Sequence, residues 1–313
     1  MKKIIAIILA VLLVAYLVFD ITCSGNTELI SQIEQTCSDM KARGLTLTSD
    51  RTQVDANGEP VLDADGQPVT VKAGAWNSFR GNALVFISNT LRLLLKYSRF
   101  YTEGLTNTIL LSILALLIGT VLGALMALMR ISSVGVLRGF ATTYIEIFRG
   151  TPLMVQLLFI YYGTSLTSLF PSISFISDFP RMMTCVVVMS LNSCAYVAEV
   201  IRSGIQAVDV GQMEAARSLG FSKWQSMYKV ILPQAIKNIL PALGNEFITV
   251  IKESSIVIYV GVADLMYRAK GVTSKTYIVL ESYLIAAVIY FILTFCLSTL
   301  VDAVERRMKR GRN

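Results

Sequence analysis

Gln156, Asn192, Glu199 and Lys252 stand inside apolar runs of this sequence, with Glu253 beside Lys252 and Arg202 three residues after Glu199. Asn192 and Glu199 are seven residues apart, so on a helix they share a face, which Arg202 extends. Polar groups embedded in a membrane are costly unless they face a cavity or one another. Two readings meet that cost. In one, Gln156, Asn192, Glu199 and Lys252 line a path and offer both signs of charge to a polar solute. In the other, Glu199–Arg202, and Glu253 with a basic partner, are ion pairs that hold helices together. Catalysis fits less well. The chain has no histidine, which excludes Ser-His and Cys-His nucleophiles and His-ligated metals. It also lacks a G-x-x-x-x-G-K-[ST] phosphate loop, so any ATP that drives it must be bound by another subunit. No catalytic residue and no metal ligand set is expected.

Residues from about Asp20 to Arg80 are polar and net acidic. They contain a tandem repeat, Asp55-Ala-Asn-Gly-Glu-Pro-Val-Leu62 followed by Asp63-Ala-Asp-Gly-Gln-Pro-Val-Thr70. D-x-[DN]-G is part of a calcium loop, but no glutamate stands at the closing position. Two β-turns, at Asn57-Gly58 and Asp65-Gly66, are expected instead. Cys23 and Cys37 flank a polar stretch of this segment and are a candidate disulfide if it is extracytoplasmic. Cys185, Cys194 and Cys296 lie in apolar runs and read as small membrane-helix residues.

The elements that would position these groups follow from composition. Of 313 residues, 54% are hydrophobic and 16% charged, with mean hydropathy +0.61. The apolar runs are continuous rather than alternating, and several approach the roughly 20 residues that cross a bilayer. An all-α polytopic membrane protein is therefore expected, since helices satisfy their own backbone in lipid. Lys2 and Lys3 precede an apolar run, Ile4 to Phe19, that is long for a signal peptide and lacks an A-x-A-like site. Residues 1–21 are expected as an extra N-terminal transmembrane helix, 22–82 as an extracytoplasmic acidic insert, and 83–103 as an interfacial amphipathic helix bearing Arg92, Lys96 and Arg99. Residues 104–313 hold the remaining spans: Leu105 to Met129, Leu137 to about Phe170, Met183 to about Ile201, Ile239 to Val262, and Tyr277 to Val301. Arg149-Gly150-Thr151-Pro152 interrupts the second of these as a candidate kink or gate. Lysine and arginine in the loops predict both termini and the Arg202–Lys237 loop inside, and the acidic insert and the Ala263–Thr276 loop outside, over six spans.

The loop at about 205–237 is unusually well punctuated. Asp209 with Gln212 has capping-box spacing, predicting a helix from about Val210. Gly220 is a natural stop, and Ser222 with Gln225 repeats the capping pattern before Pro233 and Pro241. A short helix, a tight turn and a second helix are the product. Its residues run Glu214-Ala215-Ala216, three residues, Gly220, nine residues, Val230-Ile231-Leu232-Pro233. This resembles the E-A-A-x3-G-x9-I-x-L-P signature of permease subunits of binding-protein-dependent ABC importers, with Val230 where isoleucine is usual. Glu146-Ile-Phe-Arg-Gly-Thr-Pro-Leu-Met-Val-Gln156, Tyr196-Val-Ala-Glu-Val-Ile-Arg202, Gly244-Asn-Glu-Phe-Ile248 and Lys252-Glu-Ser-Ser255 are similar to the polar amino acid branch of the histidine/glutamine/arginine type.

The resemblance covers roughly Thr102 to Arg307 and implies a type I ABC importer permease fold. It implies that Glu214, Ala215, Ala216, Arg217, Ser218, Leu219 and Gly220 form a coupling helix docking on a dimer of cytoplasmic ATPase subunits. ATP and Mg would reside on that partner, with no cofactor on this chain. An extracytoplasmic solute-binding protein, a second permease copy or sister permease, and the lipid bilayer of the bacterial cytoplasmic membrane are the other implied partners, with no nucleic acid. A secondary transporter or channel without an ATPase is the alternative, and it would have no need of such a loop.

Overall fold

The computed structural model describes residues 50–52, 70–72, 75–163 and 181–310. The first apolar run, the two turns of the repeat, and Cys23 and Cys37 lie outside the described residues. β1 (Asp50–Thr52) pairs antiparallel with β2 (Thr70–Lys72), with Arg51 opposite Val71. The helices are α1 (Ala75–Lys96), α2 (Ser98–Ile131), α3 (Gly135–Gly150), α4 (Leu153–Gly163) and α5 (Arg181–Gln206). They continue as α6 (Val210–Ser218), α7 (Lys223–Ser226), α8 (Leu232–Glu253), α9 (Leu265–Thr276) and α10 (Val279–Arg310). Among the described residues α2, α5 and α10 are long and apolar enough to cross a membrane, and α4 is a shorter apolar helix. α8 is less apolar and carries Lys237, Glu246, Lys252 and Glu253.

The chain divides into two compact units. In the smaller one, which includes residues 75–101 and 269–286, buried Tyr101 donates its hydroxyl to the Ser282 carbonyl at 3.2 Å, and the Lys275 ammonium lies 4.2 Å from the Phe100 ring centroid. The larger unit includes residues 102–268 and 287–310 and is built around α5. Val186, Val188 and Met189 join Leu111, Leu157, Val250 and Val257 in one apolar core. By contrast, α2 leaves Leu117, Val121, Leu125 and Leu128 exposed, an apolar outer surface suited to lipid. Its other side approaches α5 through Gly119 and Gly123. A Cβ at Gly123 would lie 2.8 Å from Val197 and 2.9 Å from the Cys194 carbonyl oxygen, so only glycine fits. Gly123→Ala is expected to cost about 1–3 kcal/mol by overpacking, read as a lower unfolding midpoint in detergent.

Three departures from the sequence expectations have local causes. The apolar stretch Ile239 to Val262 is not one α-helix. α8 gives way to a 3-10 turn over Ser254–Val260, closed by Gly261 at φ 76°. Ser254 and Ser255 donate their hydroxyls to the carbonyls of Ile251 and Lys252, which competes with α-helical bonding. The expected Ala263–Thr276 loop is mostly helix α9. Its start is capped by Asp264, whose carboxylate accepts the Tyr267 N–H at 2.8 Å. The third departure, in the capping of α6, is described with the site.

Candidate functional site

Two places gather the residues singled out above. The first is the hairpin at 205–237. α6 begins at Val210, but Asp209 and Gln212 do not form a capping box. The Asp209 carboxylate accepts from Gly211 N at 2.6 Å, while the Gln212 side chain receives the Gln234 amide at 3.3 Å. At its other end the helix stops as the motif requires. Gly220 adopts φ 87°, its N–H reaches the Arg217 carbonyl at 3.0 Å, and Phe221 N reaches the Ala216 carbonyl at 3.2 Å. This pair of bonds is a Schellman motif.

The second helix of the hairpin has a full capping box. Gln225 N donates to Ser222 Oγ at 3.2 Å and Ser222 N to Gln225 Oε1 at 2.8 Å. Beyond α7 the backbone widens into a π turn over Met227–Ile231, with Leu232 N bonded to the Met227 carbonyl. Pro233 has no N–H to give the Lys229 carbonyl, and its ring would crowd that carbonyl in a regular helix. The widening absorbs the conflict, so the chain runs helically from Lys223 into α8.

Ala216 is the buried member of the Glu214–Gly220 segment, at 4% exposure. Glu214, Ala215, Arg217, Ser218, Leu219 and Gly220 face outward. Beneath them Val208, Ile231, Ala235 and Ile239 form a small core with Met213 and Met227. Leu219, Trp224 and Tyr228 are 80%, 78% and 72% exposed. The latter two were not singled out in the sequence, although large apolar side chains amid Lys223, Gln225 and Lys229 are the signal of a surface that meets something.

The second place is a cleft of about 350 Å³ lined by Arg149, Gly150, Thr151, Pro152, Leu153, Asn192, Tyr196 and Glu253. It forms where Thr151, at φ −118° and ψ 140°, separates α3 from α4. Residues preceding proline are pushed out of the helical region, which explains the break. Arg149 stands 5.5 Å from the Tyr196 ring centroid, a cation over an aromatic face. The cleft therefore offers a guanidinium, a carboxylate, an amide and a ring within one small volume. Of the sequence candidates, Asn192, Glu253 and the whole Arg149–Pro152 break are brought together here. Tyr196, one helical turn from Asn192, was not among them.

Gln156 lies behind this wall, buried, rather than on it. Lys252 is exposed and not on the lining. Glu199 and Arg202 also lie off it. Glu199 pairs with Arg130 at 2.5 Å and with Arg202, whose Nε donates at 3.1 and 3.2 Å. This ion-pair cluster ties the end of α2 to α5. Both carboxylate and Arg130 side chains keep 20% exposure, between the surface and buried cases. Glu199→Ala should accordingly destabilise by about 1–3 kcal/mol, read as a lower unfolding midpoint, while solute affinity stays unchanged.

Comparison with known proteins bears on both places. Residues 119–310 match the family described as binding-protein-dependent transport system inner membrane component. The chain is 45% identical over 209 residues to a putative glutamine transport system permease protein of Rickettsia typhi, covering 67% of this chain and 93% of that protein. It is 42% identical over 210 residues to the arginine transport system permease protein of Bacillus subtilis, again over 67% and 93%. Among solved structures, an amino acid ABC transporter with histidines is similar at TM-score 0.64 and 48% identity, covering 68% of this chain and 96% of that one. A methionine ABC transporter in inward-facing conformations shares the fold at TM-score 0.54 and 19% identity, over 67% and 97%. With its motif-bearing hairpin inside the matched region, this chain belongs to the inner membrane components of binding-protein-dependent transport systems.

Proposed function

We propose that this chain is the permease subunit of an ATP-driven importer of polar amino acids in a bacterial cytoplasmic membrane. The observation that carries the reading is the hairpin. Its capped ends make it stiff, and of Glu214 to Gly220 all but Ala216 face outward, where a docking surface needs them. Glu214 to Gly220 dock on a dimer of ATPase subunits, which hold ATP and Mg and carry out hydrolysis. An extracytoplasmic binding protein delivers the solute, and a second copy of the permease or a sister chain completes the path. The lysines and arginines of the loops support a topology of six spans with both termini inside, and with it a cytoplasmic hairpin on the ATPase side. A secondary transporter or channel is the weaker reading, because it leaves this surface without a use.

Within the chain the cleft receives the solute. Arg149 suits a carboxylate, Glu253 suits an ammonium, and Tyr196 covers an apolar or cationic side chain. Lys252 adds charge at the exposed side of α8. ATPase closure, transmitted through the hairpin, shifts the bundle between inward-facing and outward-facing populations. The test is co-purification with candidate ATPases, followed by solute-dependent ATP hydrolysis in liposomes with the binding protein present. Failure to associate with any ATPase would overturn the reading.

A further inference from the structure

The break at Thr151 leaves the last carbonyls of α3 without helical donors. Inside an apolar bundle they need partners. The Ile147 carbonyl accepts from Thr151 Oγ1 at 2.9 Å. The Phe148 carbonyl accepts from Gln156 Nε2 at 2.8 Å and from Asn192 Nδ2 at 3.4 Å. The same Gln156 nitrogen lies 3.0 Å from the Thr151 carbonyl and 2.8 Å from its hydroxyl, and Gln156 Oε1 accepts from Asn192 Nδ2 at 3.0 Å. One buried amide on α4 thus reaches back across the break, caps α3, and is itself oriented from α5.

We propose that Gln156 is a positioning residue that fixes the angle between α3 and α4, and with it the Gly150–Pro152 wall of the cleft. The proposal rests on the reading of that cleft as the solute site. Only an amide fits the place: its N–H groups face oxygen acceptors on the break, while its oxygen receives Asn192. Methionine keeps the bulk and loses the donors. An ionised glutamate sets a negative charge against oxygen acceptors, whereas a protonated one regains an O–H donor.

The permease–ATPase complex is titrated calorimetrically in detergent with L-arginine and L-glutamine, without binding protein. Gln156→Met should weaken Kd about tenfold, a change of roughly 1.4 kcal/mol. Gln156→Glu should bind weakly at high pH and recover towards wild-type affinity as pH falls, with a steeper profile than wild type. An unchanged Kd in Gln156→Met, or a Gln156→Glu profile parallel to wild type, overturns the proposal. Should Gln156→Met fail to assemble, the Gln156→Glu profile decides alone. Glu253→Ala separates this idea from the one beneath it. Weakened binding there but not in Gln156→Met removes only the positioning role; unchanged binding in both removes the cleft as the solute site as well.

Discussion

Gly220→Val should cut import by about tenfold or more while leaving the protein in the membrane. Gly220 holds φ 87°, a region where a β-branched residue is strained by about 1–3 kcal/mol. Relief of that strain would require giving up the Gly220–Arg217 and Phe221–Ala216 bonds that close α6. The strain is local to an exposed turn, so the apolar core around α5 should survive it. What is lost is the fixed direction of Glu214, Ala215 and Arg217. The expected result is normal abundance, weak or absent co-purification with the ATPase, and transport reduced by about tenfold or more, since 1.4 kcal/mol of lost docking already corresponds to a factor of ten. Undiminished ATPase binding in this variant would show that the hairpin's rigidity is irrelevant to docking.

Glu253→Ala should have the second large effect, on solute affinity. Glu253 is the carboxylate on the cleft lining, and its loss removes a charge-assisted hydrogen bond worth about 1.5–3 kcal/mol. That range corresponds to a Kd weakened by roughly 10- to 150-fold. ATPase association should be unaffected, because the hairpin is untouched. Arg149→Ala tests the other charge in the same titration, and a ligand lacking the ammonium group should lose sensitivity to Glu253→Ala but keep it to Arg149→Ala.

The hairpin was legible in sequence because its signals are local. Ser222 with Gln225, Gly220 and Pro233 act within a few residues of where they stand, and the structure realises each of them. Even there, the Gln212 side chain was claimed by Gln234, 22 residues on, which no local pattern reveals. The break at Arg149–Pro152 was equally readable, since proline acts on its immediate neighbours. Gln156 was not. Its role depends on Phe148 and on Asn192, 36 residues away, and a glutamine in an apolar run looks the same whether it lines a path or caps a helix. Glu199 shows the same limit: Arg202 is a neighbour in sequence, but Arg130 is 69 residues distant. Helix α9 was missed for another reason. Its Gly271, Thr273, Ser274 and Thr276 favour a loop, which masked the i, i+4, i+7 spacing of Leu265, Ala269 and Val272, all three buried in the structure.

The π turn at Met227–Ile231 has a mechanical meaning. Because the proline conflict is absorbed by widening rather than by breaking, no non-helical residue separates Lys223 from Glu253. At 1.5 Å per residue these 31 residues (253 − 223 + 1) trace about 45 Å of continuous helical path, with the α-helical ladder interrupted at the π turn and at Pro241. One end carries Trp224 beside the exposed hairpin, and the other ends in the carboxylate of the cleft. Moved as one piece, such a path tilted by about 5° about one end would shift the other by about 4 Å, more than the length of a hydrogen bond. On the proposed reading of the cleft, a rotation of that size at the hairpin would carry Glu253 out of reach of a bound ammonium.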